Sequence, residues 1–113
     1  MPPRNNPLKL NPLQLRTLTL LQAISRAGGA QMTASGEAAI SRFPEPHGDH
    51  FHLGDAVVAG KDATGLYNEA VWNALARKGL ARSDYPRQIV LTHEGLGYDT
   101  GEAQAILRQG GGH

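Results

Sequence analysis

The chain has 113 residues, 40% hydrophobic and 19% charged, which suits one small folded domain and is too apolar for a solvated disordered tail. The absence of cysteine excludes disulfide scaffolds, thiolate zinc sites and cysteine nucleophiles. No apolar run reaches the roughly 18 residues that span a bilayer, and no secretory signal pattern opens the chain, so we expect a cytoplasmic protein without a membrane partner. The net charge of +1 by itself disfavours a nucleic-acid partner.

The charges are unevenly distributed along the chain. Residues 1–29 carry four basic side chains and no acidic one, and residues 66–92 carry four basic and two acidic side chains. Residues 30–65 carry five acids against two bases, and residues 93–113 carry three acids against one base. Because a polyanion responds to the local field, a basic surface is compatible with this low net charge.

The first predicted helix spans residues 11–27. Asn11 is a favourable N-cap, and Gln14 stands three residues later, as in a capping box. Apolar residues recur along one face, and Gly28 ends the helix. Leu18 lies outside that face, which indicates that a second domain face or a dimer partner covers the helix on another side.

An insert follows at residues 30–52, within which alternating residues predict an extra β-hairpin at about residues 38–53. The segment Leu53–Gly60 is ambiguous. Val57 and Val58 favour a strand, whereas the alanines on either side permit a short helix.

The remaining elements are read from their turn and cap residues. A helix with an apolar stripe ends at Gly79, and residues 80–92 read as a β-hairpin. Thr92 caps a helical segment over residues 93–109. At the two ends we expect a loose N-terminal arm over residues 1–9 and a flexible tail over residues 110–113.

Residues 66–98, LYNEAVWNALARKGLARSDYPRQIVLTHEGLGY, resemble the C-terminal half of a winged helix-turn-helix domain of bacterial, MarR-like transcriptional regulators. In both, a recognition helix ends in Gly-Leu, and a strand, a turn, a second strand and Leu-Thr-x-Glu-Gly follow. The resemblance covers about residues 53–98 and implies an α+β winged-helix domain of three to four helices over residues 10–109. It assigns the helix-turn-helix to residues 53–79 and the wing to residues 80–92.

The resemblance also implies a DNA-binding transcriptional regulator, with the recognition helix in the major groove and the wing on the phosphate backbone. Polar side chains suit base edges and basic ones suit phosphates. The candidate DNA-binding residues are Thr64, Tyr67, Asn68, Asn73, Arg77, Lys78, Arg82 and Arg87. The ordinary alternative is that the polar residues solvate the helix and that its terminal cations favour the helix dipole.

A homodimer on double-stranded DNA is expected for three reasons. Helix 11–27 has apolar residues off its main face, and a last helix exposes Ile106 and Leu107. A single module with so little positive charge would also bind DNA weakly, which two half-sites would offset.

Other functions remain open. A winged-helix module can bind protein instead of DNA, here through Trp72 and the acidic 30–65 insert, although core packing of Trp72 is favoured. His47, His50 and His52 have a spacing that suits a metal or a pH response, although hydrogen-bonded surface histidines are the more ordinary explanation. We expect no cofactor and no enzyme, because the sequence has no nucleophile elbow, phosphate loop or pair of carboxylates in an apolar setting.

Overall fold

The computed structural model describes residues 6–43 and 49–109. The first five residues of the arm, the turn at 44–48 with His47, and the tail at 110–113 lie outside the described residues. The described residues form an α+β arrangement of four α-helices and two antiparallel sheets. None of the helices within them is long and apolar enough to cross a membrane.

The bounds of the elements are as follows. The α-helices are α1 (Pro12–Arg26), α2 (Glu69–Arg77), α3 (His93–Gly97) and α4 (Ala103–Ile106), and two 3-10 helices lie at Gly60–Asp62 and Thr64–Tyr67. The strands are β1 (Gln31–Met32), β2 (Ala38–Ile40), β3 (His50–Leu53), β4 (Ala56–Ala59), β5 (Ala81–Asp84), β6 (Gln88–Leu91) and β7 (Arg108–Gln109).

The predicted first helix is confirmed, and it is the centre of the molecule. Asn11 Oδ1 accepts a hydrogen bond from the Gln14 backbone at 2.8 Å, and Gln14 Oε1 accepts one from the Asn11 backbone at 3.0 Å. Leu18 is fully buried, because α2, α3, α4 and β2 all contact α1. The apolar residues off its main face are therefore covered within the chain, without a second copy.

The described part of the N-terminal arm is attached by hydrogen bonds, so the expectation of a loose arm is wrong for residues 6–9. Asn6 hydrogen-bonds to the backbone N–H and the carbonyl of Leu10 at 3.1 and 3.0 Å. The Tyr98 hydroxyl accepts from the Leu8 backbone at 3.1 Å and donates to Asn6 Oδ1. These bonds join the arm to the chain that follows α3.

The larger sheet has the strand order β1-β2-β6-β5. The hairpin predicted at residues 38–53 is wrong, because β2 pairs with β1 and β6. Pairing with β6 places Ala38 opposite Leu91 and Ile40 opposite Ile89, and all four side chains are fully buried. The β-hairpin predicted at residues 80–92 is confirmed as β5 and β6, and this hairpin is called the wing below.

The smaller sheet has the order β3-β4-β7. A two-residue turn joins β3 to β4, with Gly54 at a φ of +55° as the first turn residue, a conformation that suits a type II′ hairpin turn. The segment Leu53–Gly60 therefore contains a strand. The expected helix-turn-helix is corrected here, because the first helix that the resemblance implied is not formed. Phe51 and Val58 pair across the hairpin and bury its inner face.

Two 3-10 helices precede α2. Gly65 lies against α1 so closely that a Cβ at this position would overlap Thr17 Oγ1. This glycine lets the backbone approach α1, and α2 follows directly. Val71, Trp72 and Leu75 form the buried face of α2.

The helical segment predicted at residues 93–109 is shorter than expected and is interrupted. Thr92 caps α3, as predicted, with its Oγ1 accepting from the Gly95 backbone at 3.2 Å. The Asp99 carboxylate accepts from the Gly101 backbone at 3.1 Å in a turn, and α4 covers one turn only. Ile106, which we expected to be exposed, is 3% exposed, because α4 packs on α1.

Candidate nucleic-acid interface

The outer face of α2 is polar and narrow. Ala70, Asn73 and Arg77 recur at intervals of three and four residues and are all exposed, so they share one side of the helix. Glu69, in the first turn, is exposed as well. The helix thus presents a carboxylate at its start, a small residue and an amide in its middle, and a guanidinium at its end.

Three of the predicted residues precede or open the helix. Thr64 is exposed in the second 3-10 helix, and the Tyr67 side chain is 56% exposed. Asn68 is half-buried and is the N-cap of α2, with its Oδ1 accepting from the Ala70 backbone at 3.0 Å. The cap uses the acceptor of this amide, so Asn68 has a structural role that the sequence did not indicate.

The two cations at the end of α2 are accessible. Arg77 lies in the last turn and Lys78 is the C-cap residue, and both are exposed. Within residues 6–43 and 49–109, neither forms an ion pair. Their positive charges favour the C-terminal end of the helix dipole and remain available to an anion in solution.

The two arginines of the wing are paired with carboxylates. Arg82 Nη1 lies 2.7 Å from Glu37 Oε1, and Arg87 Nη2 lies 3.2 Å from Asp84 Oδ1. The Glu37 side chain is 14% exposed and also accepts from the Ser35 hydroxyl at 3.3 Å. A phosphate at the wing must therefore compete with carboxylates that are already in place.

Aromatic contacts hold the wing turn beside α2. Trp72 is 1% exposed and packs between Phe43 and Tyr85, with ring centroids 5.5 and 4.8 Å away. The Tyr85 hydroxyl donates to the Tyr67 carbonyl at 2.8 Å. The predicted core packing of Trp72 is confirmed, and so little of this side chain is exposed that it offers no contact surface to a partner.

Sequence reasoning missed Glu37 and Tyr85. Tyr85 stood beside a proline and read as an ordinary turn residue. Glu37 lies in the turn between β1 and β2, far along the chain from Arg82. No local pattern connects them, because β2 and β6 must first pair before the two side chains face each other.

The histidines are only partly brought together. His50 and His52 project from the same face of β3, opposite the buried Phe51, with ring centroids 5.3 Å apart. Asp49 Oδ1 lies 3.3 Å from His50 Nδ1, and His93 Nε2 donates to the Ser35 carbonyl at 2.6 Å. Among the residues that the structure describes, no three histidine or carboxylate side chains are arranged to hold a metal ion.

No family model, curated protein or solved structure matches this chain.

Proposed function

We propose that this chain is a winged-helix transcriptional regulator of the bacterial type that binds double-stranded DNA, with α2 in the major groove and the β5–β6 hairpin as the wing. One observation carries the proposal. A helix with an exposed polar face is followed directly by a β-hairpin, and Tyr85 holds the tip of that hairpin beside the start of the helix. An exposed helix face flanked by a hairpin is an arrangement that fits a groove and an adjacent backbone.

The side chains on the exposed face of α2 have chemistry suited to DNA. The Asn73 amide matches the edge of adenine in the major groove, and the small Ala70 side chain matches a thymine methyl group. Arg77 and Lys78 supply two phosphate contacts, which predict a slope of log affinity against log salt of about −2 for each protomer.

In place of a helix before the recognition helix, the chain has strand β4 followed by two 3-10 helices. Gly65 seats this segment on Thr17 of α1, so that α2 is oriented by the central helix. This departure changes how α2 is supported and leaves its outer face exposed.

We retain a homodimer in the proposal for one reason, which is the low positive charge of each protomer. Leu18 and Ile106 are buried within the chain and no longer favour a partner copy. Two phosphate contacts from each protomer give weak binding, and a second copy on an adjacent half-site would raise the affinity.

The experiment is a fluorescence anisotropy titration of a labelled random-sequence duplex at low and at physiological salt. We expect binding at low salt that weakens steeply as salt rises. Arg77→Gln should weaken binding several-fold and lower the salt slope by about 1. The matched control is Arg26→Gln, because Arg26 is also an exposed arginine in the last turn of a helix. Absence of binding at low salt, or equal losses for the two variants, contradicts the proposal.

A second candidate is a winged-helix module that binds another protein. The observation in its favour is that both wing arginines already pair with carboxylates and that Glu69 is exposed on α2. Since Trp72 is buried, such a partner would contact the acidic insert and the outer face of α2. A chain that folds normally and binds no duplex at low salt would favour this candidate.

A further inference from the structure

An open cavity of about 420 Å³ lies between the last two turns of α1 and the segment 96–104. Its volume is within the range of small-molecule sites. The lining residues that matter for its chemistry are Gln22, Arg26, Leu96, Tyr98, Asp99 and Ala103. The proposed DNA interface uses none of them.

Gln22 presents an unpaired acceptor in this cavity. The residue is 5% exposed, and its Nε2 donates to the carbonyls of Gly95 and Tyr98, both at 2.8 Å. These two bonds fix which end of the amide is nitrogen. The opposite atom, Oε1, accepts no hydrogen bond from any residue that the structure describes. This oxygen is accessible to solvent, and a ligand with an N–H group in the cavity can donate to it.

The cavity also has one charge of each sign. Arg26 follows Gln22 by four residues, on the same face of α1, and forms no ion pair with a described residue. Asp99 lines the cavity from the other side, and one of its oxygens accepts from the Gly101 backbone at 3.1 Å. A guanidinium and a carboxylate around one space disfavour a simple anion or cation and favour a molecule that carries both charges.

We propose that the cavity binds a small zwitterion of the α-amino-acid type with an apolar side chain. Arg26 binds the carboxylate as a two-pronged donor. The Gln22 Oε1 and the Asp99 carboxylate accept from the ammonium group. The half-buried Leu96 and the exposed Ala103 contact the apolar side chain.

The test is a titration of the ¹⁵N-labelled full chain with L-leucine, followed by backbone amide shifts in two-dimensional NMR spectra. Two analogues separate the charges: 4-methylpentanoate lacks the ammonium group, and 3-methylbutylamine lacks the carboxylate. We expect saturable shifts at Gly97 and Gly101 with leucine and about tenfold weaker binding of each analogue. Absence of shifts at millimolar leucine, or an analogue that binds as tightly as leucine, overturns the proposal.

Two variants locate the site. Gly97 lines the cavity, and a Cβ there meets no heavy atom within 4 Å, so Gly97→Leu should fill the space, abolish leucine binding and leave the melting temperature unchanged. Arg26→Gln should weaken leucine binding about tenfold, whereas Arg77→Gln on α2 should leave it unchanged. If Gly97→Leu fails to fold, the two arginine variants decide the question. Equal leucine binding by Arg26→Gln and the unaltered chain overturns the assignment.

Discussion

The end of α2 and the wing carry the same kind of side chain in two different electrostatic settings. Arg77 and Lys78 are exposed at the end of the helix and form no ion pair within the described residues. Arg82 and Arg87, on the neighbouring hairpin, lie 2.7 and 3.2 Å from carboxylate oxygens. The four cations are close in sequence. The two on the helix are available to bind an anion, whereas the two on the wing must first dissociate from a carboxylate.

The two ion pairs of the wing differ from each other in their exposure to solvent and in the bonds that hold the carboxylate. Glu37 is held by the β1–β2 turn, where its backbone N–H donates to Thr33 Oγ1 at 3.1 Å and its carboxylate accepts from the Ser35 hydroxyl. Asp84 is 59% exposed and pairs with an arginine that is 80% exposed. Screening by solvent weakens exposed pairs, so the Arg82–Glu37 pair is the stronger restraint on the wing. The number of cations in a segment is thus a poor guide to how many are free.

The largest expected effect comes from removing the support under the wing. A Cβ at Gly95 would overlap the Leu80 carbonyl oxygen at the entrance to β5. We expect Gly95→Ala to destabilise the chain by about 3 kcal/mol, seen as a fall in Tm of roughly 10 °C or more by calorimetry. Gly97→Ala, in the same helix, is the matched control, since a Cβ there meets nothing within 4 Å. Equal Tm values for the two variants would show that α3 does not support the wing in this way.

Next in size is the aromatic contact that sets the wing beside α2. Tyr85→Ala removes the ring packed on Trp72 and the hydrogen bond to Tyr67, and should cost about 2 kcal/mol in urea denaturation. Tyr85→Phe keeps the ring and should cost about 1 kcal/mol. If DNA binding requires a fixed wing, affinity should fall for the alanine variant and change little for the phenylalanine one. A loss of affinity as large for phenylalanine as for alanine would contradict this separation.

A smaller effect is expected from freeing one wing arginine. Glu37→Gln leaves Arg82 without its carboxylate, so duplex affinity at low salt should rise several-fold and the salt slope should steepen by about 1. The same substitution in an Arg82→Gln background should have no effect on the affinity, which makes the pair a double-mutant cycle. An equal gain with and without Arg82 would mean that Glu37 acts through the general field.

The smallest effect belongs to the exposed pair. Asp84→Asn should raise duplex affinity by less than about twofold, because Asp84 and Arg87 are both largely solvated already. The measurement is the same anisotropy titration. A gain from Asp84→Asn larger than that from Glu37→Gln would reverse the order that burial predicts for the two pairs.

Much of the helix and hairpin pattern was predictable, and much of the strand pairing was not. The Asn11 and Thr92 caps and the wing hairpin follow from short-range chemistry and are confirmed. The sequence left Leu53–Gly60 ambiguous between a helix and a strand, and the structure has strand β4 there. Gly54 followed by an aspartate is a two-residue hairpin turn, and the paired valines fit a strand.

The features of the candidate site also fall into those that the sequence predicts and those that it does not. The exposed face of α2 follows from helical periodicity, so Asn73 and Arg77 were placed correctly on the surface. The cap role of Asn68, the partners of Arg82 and Arg87, and the contact of Tyr85 with Trp72 were not anticipated. Each depends on a neighbour whose position the periodicity of α2 does not specify.

By itself, the sequence determined those features whose partners lie within about four residues: the capped helix α1, the stripe of α2, the glycine stops and the wing turn. The tertiary structure decided that β2 pairs with β6, that α1 is buried on most sides, and that Glu37 reaches Arg82. The physical reason is that caps and turns are selected by local backbone geometry. Strand partners and ion pairs between distant segments are selected by which arrangement buries the most apolar surface, and that depends on the whole chain.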